Sequence, residues 1–507
     1  MPEPASYDLA VVGGGINGAG IACDAAGRGL KVILAEMNDL ASATSSASSK
    51  LIHGGLRYLE HYEFKLVREA LAEREVLLAK APHIIWPLRF VLPHVEGLRP
   101  RWMIRAGLGL YDNLYRRKAI PGSKSVDLTR DPAGAPLAPG LTSGFSYYDC
   151  WVDDARLVLL NAQAAVAKGA EVHTRTRVTG LAREGLAWRV TLLAGNTERV
   201  IRARALVNAA GPWADKIDGL SAAASVNDKP AGHVRLIKGS HIVLPRLPGT
   251  GNDAYLMQNA DKRVVFVLPF EERFTIIGTT DVPYEGDPAQ VAISTEEETY
   301  LLDLAQRFFK VPLRAADIVW RYSGVRPLYD DGDADPSAVT RDYRLELRGG
   351  HNEAARLSVY GGKVTTYRHL AEDALEKLRP FLPHMGPAWT RTGALPGGDL
   401  PGRNFEAYVQ FLASRFPAFD AAHLRRLARR HGTRTQDVVG DAKDTAGMGR
   451  HFGEGLTERE VLWMKANEWA RSADDVLWRR SKLGLHMLIS LTERERTETA
   501  EAIDRLL

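Results

Sequence analysis

The feature that most restricts this chain lies in its first forty residues, where strand, glycine turn, helix, second strand and acid follow one another without a gap. Tyr7-Asp8-Leu9-Ala10-Val11-Val12 is a short, apolar, partly β-branched run, which reads as a buried parallel strand. Gly13, Gly15 and Gly18 then fit G-x-G-x-x-G, with Asn17 counted beside them as a cofactor contact. Residues 16–28 carry small and apolar side chains at helical spacing, and Gly29 supplies a stop. Residues 31–35 form a second strand that ends in Glu36. In such a unit Gly13 makes the tight turn, Gly15 lets the backbone approach a pyrophosphate, and Gly18 lets helix and strand pack closely. The helix start offers unpaired N–H groups to the phosphates, and Glu36 is placed to accept hydrogen bonds from the ribose hydroxyls. The pattern predicts a Rossmann-type dinucleotide site and, in a chain of 507 residues, an α/β protein of several units. It does not choose between a nicotinamide and a flavin cofactor.

Composition narrows the chemistry. The two cysteines, Cys23 and Cys150, lie far apart, which excludes a disulfide framework and an iron–sulfur cluster built from the chain's own thiols. Both read as small apolar packing residues. A formal net charge of +4 is only mildly basic and implies no nucleic acid. The arginine-rich run 424–431 has acids nearby and no interleaved aromatics, so it reads as a solvated helix face. Residues 331–337 are acidic but lack the rest of a calcium-loop pattern, and no metal site is expected. No signal peptide precedes the first strand, and no run of about 18 apolar residues suggests a transmembrane helix. After Glu36, Thr44-Ser45-Ser46 and Lys50 supply a hydroxyl-rich loop whose donors suit phosphate and flavin oxygens.

Two later segments carry a resemblance. Residues 205–213, a strand ending in Ala209-Ala210-Gly211-Pro212-Trp213, resemble the second flavin-side strand of glycine-oxidase-like and glycerophosphate-dehydrogenase-like flavoproteins. Residues 357–366, a strand running into Gly361-Gly362-Lys363-Val364-Thr365, resemble the late glycine turn that lies against the flavin ring in that group. The stretch 41–60, with blocks at 148–157, 235–241, 277–281, 322–328 and 478–485, is similar to the aerobic, FAD-dependent, quinone-linked glycerol-3-phosphate dehydrogenases over nearly the full length. That resemblance implies FAD as cofactor, contacted by Gly211, Gly361, Gly362, Thr365 and His53 as well as by the N-terminal unit. It implies glycerol-3-phosphate as substrate, held by Arg57, Arg326 and Arg341 with Tyr58 and Lys363 completing the anion pocket. It further implies electron transfer to quinone at the cytoplasmic face of the inner membrane by a peripheral protein; a homodimer is compatible with it.

The chemistry asks for guanidinium forks on a dianionic phosphate and for an acceptor of the C2 hydroxyl proton. His241 is the best base on physical grounds; Lys363 and Arg326 remain alternatives. His241 is read at the start of a strand after a Lys238-Gly239-Ser240 turn, and Arg326 on a short turn. An oxygen-reducing glycerophosphate oxidase and an amine or amino-acid oxidase share the fold and stay in play.

The expected architecture is a discontinuous, glycine-oxidase-like Rossmann FAD domain from 1–80, 150–215 and 355–388. An antiparallel-sheet substrate domain takes 81–149 and 216–354. In it, the leucines and aromatics of 84–118, flanked by cations, suit either an interfacial helix or a helix packed on the FAD domain, and the resemblance to peripheral membrane enzymes favours a membrane-facing segment. A helical cap of unassigned role takes 389–507.

Overall fold

A computed structural model describes residues 4–222, 234–258, 263–330, 342–350 and 352–507. Strand Ala5–Val12 runs into helix Ile16–Gly27 and then strand Val32–Ala35. The strands lie side by side in parallel, Leu9 opposite Val32 and Val12 opposite Ala35. Strands Thr197–Asn208 and Ala355–Tyr360 continue the parallel sheet on one side and Glu171–His173 on the other, in an eight-stranded sheet. The strand interiors are apolar on both faces, as a sheet covered by helices requires: Leu9, Val32, Leu34, Ala205 and Leu206 have no exposed surface.

The second sheet has ten strands and is antiparallel except where Ala254–Gln258 pairs in parallel with Ile85–Pro93. Toward one end of it, strand Val234–Pro245 is flanked by Phe274–Gly278 and Trp320–Tyr329. Two expectations about the site residues are corrected by this sheet. His241 lies well inside an unbroken strand, so Lys238-Gly239-Ser240 is no turn, and Arg326 also sits on a strand. Glycine and proline in those runs signal a turn by composition, but the paired neighbours supply the hydrogen bonds that keep the backbone extended.

Segment boundaries shift for the same reason. Strand Arg344–Arg348 pairs with Ala355–Tyr360 in the first sheet, although it falls in the expected substrate segment. Leu51–Ile52 joins the second sheet. Residues 85–93 form an inner strand between Ala254–Gln258 and Ser143–Val152, not a membrane-facing surface. An apolar run bounded by prolines fits a buried strand as readily as an interface. Helix Arg101–Asn113 does stand at the surface, with Trp102 69 % exposed. No helix among the described residues is long and apolar enough to cross a membrane.

Helices from Phe405–Arg415 to Glu493–Asp504 form the C-terminal unit, which has apolar clusters of its own. The arginine-rich helix Ala421–His431 departs from the solvated reading. Arg425 meets Glu406 at the surface, but Arg429 lies over Trp86 and Phe405, and Arg430 and His431 are buried on Glu460. The unit is tied to the rest of the chain by Arg156–Glu468, 2.9 Å apart and 1 % exposed on both sides. Burial would raise the pKa of Glu460, but Arg430 and His431 outweigh it and hold that pKa at about 2. A depressed carboxyl pKa stabilises the fold above the unfolded value of 4.5 and loses that stabilisation as pH falls toward 2. Glu460→Gln is therefore expected to lose a few kcal/mol at pH 7, with the deficit shrinking below pH 4.5. Denaturant melts at pH 7 and pH 3.5 measure it; an equal deficit at both would sink the assignment.

Candidate active site

A cavity of about 740 Å³ runs from the first glycine turn to the second sheet. Its floor is the N-terminal unit. Gly13 adopts φ +108, and a Cβ there would sit 2.5 Å from the Ala209 carbonyl oxygen. A Cβ on Gly18 would lie 1.9 Å from the Gly13 carbonyl oxygen, so Gly18 lies beneath the cavity as the helix–strand contact. Gly15 and Asn17 line it. Asn17 donates Nδ2 to the Gly361 carbonyl at 3.1 Å, while its buried Oδ1 has no partner. The N-terminal turn and the late turn at Gly361 (φ +72) and Gly362 (φ +96) thus meet across 344 residues.

Glu36 closes one end. Its carboxylate accepts from the Gly14 N–H at 2.6 Å and the Asn38 N–H at 2.7 Å. Burial raises its pKa, against the lowering effect of those two backbone donors. Thr44 and Ser45 line the cavity, and the Ser45 hydroxyl accepts from the Ile16 N–H at 3.0 Å, docking the hydroxyl-rich loop on the helix start.

Two expected members of that loop turn away. The Lys50 ammonium is buried on the Asp154 carboxylate, 2.9 Å away, and on the Ser46 carbonyl. A lysine that is 1 % exposed needs a carboxylate partner, so it anchors the loop instead of reaching a phosphate. The Ser46 hydroxyl bonds the Ala43 carbonyl at 3.3 Å and lies outside the main cavity.

The opposite wall comes from the second sheet. Residues 237, 239 and 241 share one face of their strand and pair with Arg326, Gly324 and Tyr322. His241 stacks on Tyr322 at 4.6 Å. Glycines clear room for these side chains. A Cβ on Gly278 would stand 2.2 Å from the His241 ring, and one on Gly239 would stand 2.6 Å from the Arg326 guanidinium. Arg326 donates to Asp281 at 2.6 Å. His241 Nε2 is 2.9 Å from Ser49 Oγ, and its buried Nδ1 is unpartnered. Burial above all, then repulsion from Lys50 and Arg326, pushes the His241 pKa well below the ordinary 6.5, so the ring is neutral at pH 7.

His53, Tyr58, Gly211, Lys363 and Thr365 complete the lining. Lys363 Nζ lies 3.9 Å over the Tyr58 ring, and Thr365 Oγ1 accepts from the His53 N–H at 3.2 Å. Of the remaining expected residues, the Arg57 side chain and Arg341 lie outside what the structure describes, as does the acidic run 331–337. Ser49 and Asp281 were not singled out from the sequence. Ser49 stood in a run of hydroxyls with nothing to distinguish it, and its partner is 192 residues away.

A glycine cradle at a helix start, an acid at its far end and a roof bearing a neutral imidazole and a guanidinium define a dinucleotide-dependent oxidoreductase. Comparison with known proteins makes the class specific. The family described as FAD dependent oxidoreductase matches residues 8–368, and the C-terminal domain of alpha-glycerophosphate oxidase matches residues 388–501. The glycerol-3-phosphate dehydrogenase of Pseudomonas aeruginosa is 55% identical over 95% of this chain and 92% of its own. The aerobic glycerol-3-phosphate dehydrogenase of Escherichia coli K12 is 53% identical over 94% of each. The D-erythritol 1-phosphate dehydrogenase of Brucella abortus is 51% identical over 99% of both. The structure of the Bacillus halodurans glycerol-3-phosphate dehydrogenase complexed with FAD superposes with a TM-score of 0.74 at 26% identity, covering 99% of this chain and 94% of that one.

The chain belongs to the FAD-dependent oxidoreductase family, in the group of the FAD-dependent glycerol-3-phosphate dehydrogenases. Its cofactor is FAD. The residues fit that group: the tight turn at Gly13 and the helix–strand contact at Gly18 admit no side chain, Gly15 leaves the helix start bare toward the cavity, and the buried Asn17 Oδ1 has no partner.

Proposed function

We propose that this enzyme oxidises sn-glycerol-3-phosphate at C2 to dihydroxyacetone phosphate and passes the electrons to a membrane quinone. The observation that carries the reading is the convergence of a neutral His241, Arg326 and Lys363 on one cavity with the FAD cradle. FAD supplies the hydride acceptor. Arg326, held in place by Asp281, presents its remaining donors to the substrate phosphate, and Lys363 adds a second cation above Tyr58. His241 takes the C2 hydroxyl proton at Nε2, with Ser49 Oγ beside it to orient the hydroxyl. A guanidinium is a poor proton acceptor and is unsuited to that task.

The membrane contact we favour joins helix Arg101–Asn113 to the turn before helix Phe64–Lys80. Tyr62 is 79 % exposed and Trp102 69 %, and the two regions are linked by Arg99–Glu60 at 3.3 Å. Aromatics beside Arg101 and Arg105 suit an interface with anionic lipid.

Anaerobic addition of glycerol-3-phosphate to the yellow protein should bleach the flavin, and a quinone in anionic vesicles should restore the colour. Bleaching by an amino acid instead would overturn the reading. The Brucella relative favours a second reading, a four-carbon polyol phosphate, which would bleach the flavin faster in the same assay. Arg326→Met should raise the KM for the phosphate ester about 10- to 100-fold, the worth of a charged hydrogen bond. An unchanged KM would remove Arg326 from the phosphate site.

A further inference from the structure

The C-terminal domain grips both chain segments that flank Glu36, yet none of residues 475–480 lines the main cavity. Asp39, three positions beyond Glu36, is 3 % exposed. Arg479 Nε donates to its Oδ2 at 2.6 Å, and Arg480 donates to its Oδ1 at 2.8 Å. On the other side Asp475, fully buried, accepts from Arg175 at 2.6 Å. The backbone N–H of Arg175 donates to the Asn38 carbonyl at 2.7 Å, and that of Thr176 to the Glu36 carbonyl at 2.7 Å. The gripping segment is itself fixed, since Arg480 Nε donates to the Glu468 carbonyl and Glu468 pairs with Arg156.

The clamped loop matters because Asn38 is one of the two backbone donors that aim the Glu36 carboxylate. Residues 36–41 have no helix or strand to hold them. Buried ion pairs with good geometry fix one arrangement where several would otherwise compete, and removing one partner leaves an uncompensated charge.

We propose that the C-terminal domain sets the enzyme's affinity for the adenosine half of FAD, with Asp39, Asp475, Arg479 and Arg480 as positioning residues acting through Glu36. The proposal rests on Glu36 binding the ribose. The segment 475–480 thereby gives the C-terminal domain a part in cofactor binding although none of its side chains lines the main cavity.

The test strips flavin from the full-length enzyme and titrates FAD and FMN back, for the wild type, Asp39→Asn, Glu36→Gln and the double variant. Arg175→Met is included because its side chain is 34% exposed and, without it, Asp475 keeps Arg479 and the Arg471 backbone N–H as partners. Asp39→Asn should weaken FAD about tenfold and Arg175→Met severalfold, with FMN affinity and kcat at saturating FAD unchanged. Added to Glu36→Gln, Asp39→Asn should weaken FAD little further, the signature of coupled residues. A structural role alone would weaken FMN equally, or multiply with Glu36→Gln, and either result overturns the proposal. If Asp39→Asn and Arg175→Met keep wild-type FAD affinity while Glu36→Gln loses it, the clamp falls and the ribose role stands. If Glu36→Gln binds FAD normally, the ribose role falls and the proposal with it.

Discussion

His241→Gln should slow anaerobic flavin reduction by glycerol-3-phosphate about 10²- to 10⁴-fold, the usual contribution of a positioned general base. Glutamine keeps a polar group near Ser49, and the strand register at Tyr322 and Gly278 needs no histidine. Bound flavin per chain should therefore stay the same. The pH profile gives a second handle. Burial first, then Lys50 and Arg326, hold the ring's pKa well below 6.5, so the wild-type rate of flavin reduction at saturating substrate should show no base titration near 6.5 and should fall only at more acid pH. The same shift acts on stability. The unfolded chain binds this proton first, so as pH drops through 6.5 the fold loses stability until the folded pKa is also passed. Stopped-flow reduction from pH 5 to 8 measures the kinetic part. Reduction within about fivefold of wild type would assign the proton elsewhere, with Lys363 the next candidate.

Gly18→Ala should give a protein that no longer retains FAD. The added carbon would stand 1.9 Å from the Gly13 carbonyl oxygen, and both are backbone, so neither side can yield by rotating a side chain. Relief means moving helix Ile16–Gly27 off strand Ala5–Val12, which costs about 1–3 kcal/mol as overpacking and displaces the N–H groups that face the pyrophosphate. Gly107→Ala is the matched control: a Cβ there meets nothing within 4 Å, and alanine should stabilise its helix by about 0.5–1 kcal/mol. The ratio of flavin to protein absorbance after purification, with thermal melts, reads both. A yellow, wild-type-like Gly18→Ala enzyme would contradict the cradle described above.

The sequence was legible where a function is encoded locally. The strand–turn–helix–strand–acid unit needs specific residues at fixed spacing, because tight turns and close backbone approaches admit only glycine. Gly13, Gly15 and Glu36 accordingly line the cavity, with Gly18 beneath it. The blocks around His241, Arg326 and Lys363 were recognisable as a family pattern, and all three residues reach the same cavity.

Direction and partnership were not legible. Lys50 is adjacent to the hydroxyls that face the cavity, yet it points to Asp154, 104 residues away. Arg326 looked like a turn residue because the hydrogen bonds that make it a strand belong to Ile237 and its neighbours. The run 85–93 is apolar, and only the packing across the sheet shows that Ile85, Leu88, Phe90, Val91 and Leu92 are buried within the protein.

The sequence by itself determined the cofactor cradle, because turn geometry, period and residue chemistry are short-range properties, while its resemblance to a family supplied the set of catalytic candidates. Tertiary structure alone decided which candidates share the cavity, that His241 is neutral, and that Asp39 is held by arginines 440 and 441 positions later. Burial and charge pairing depend on what lies across the fold, and a pKa or an ion pair has no value until those distances exist.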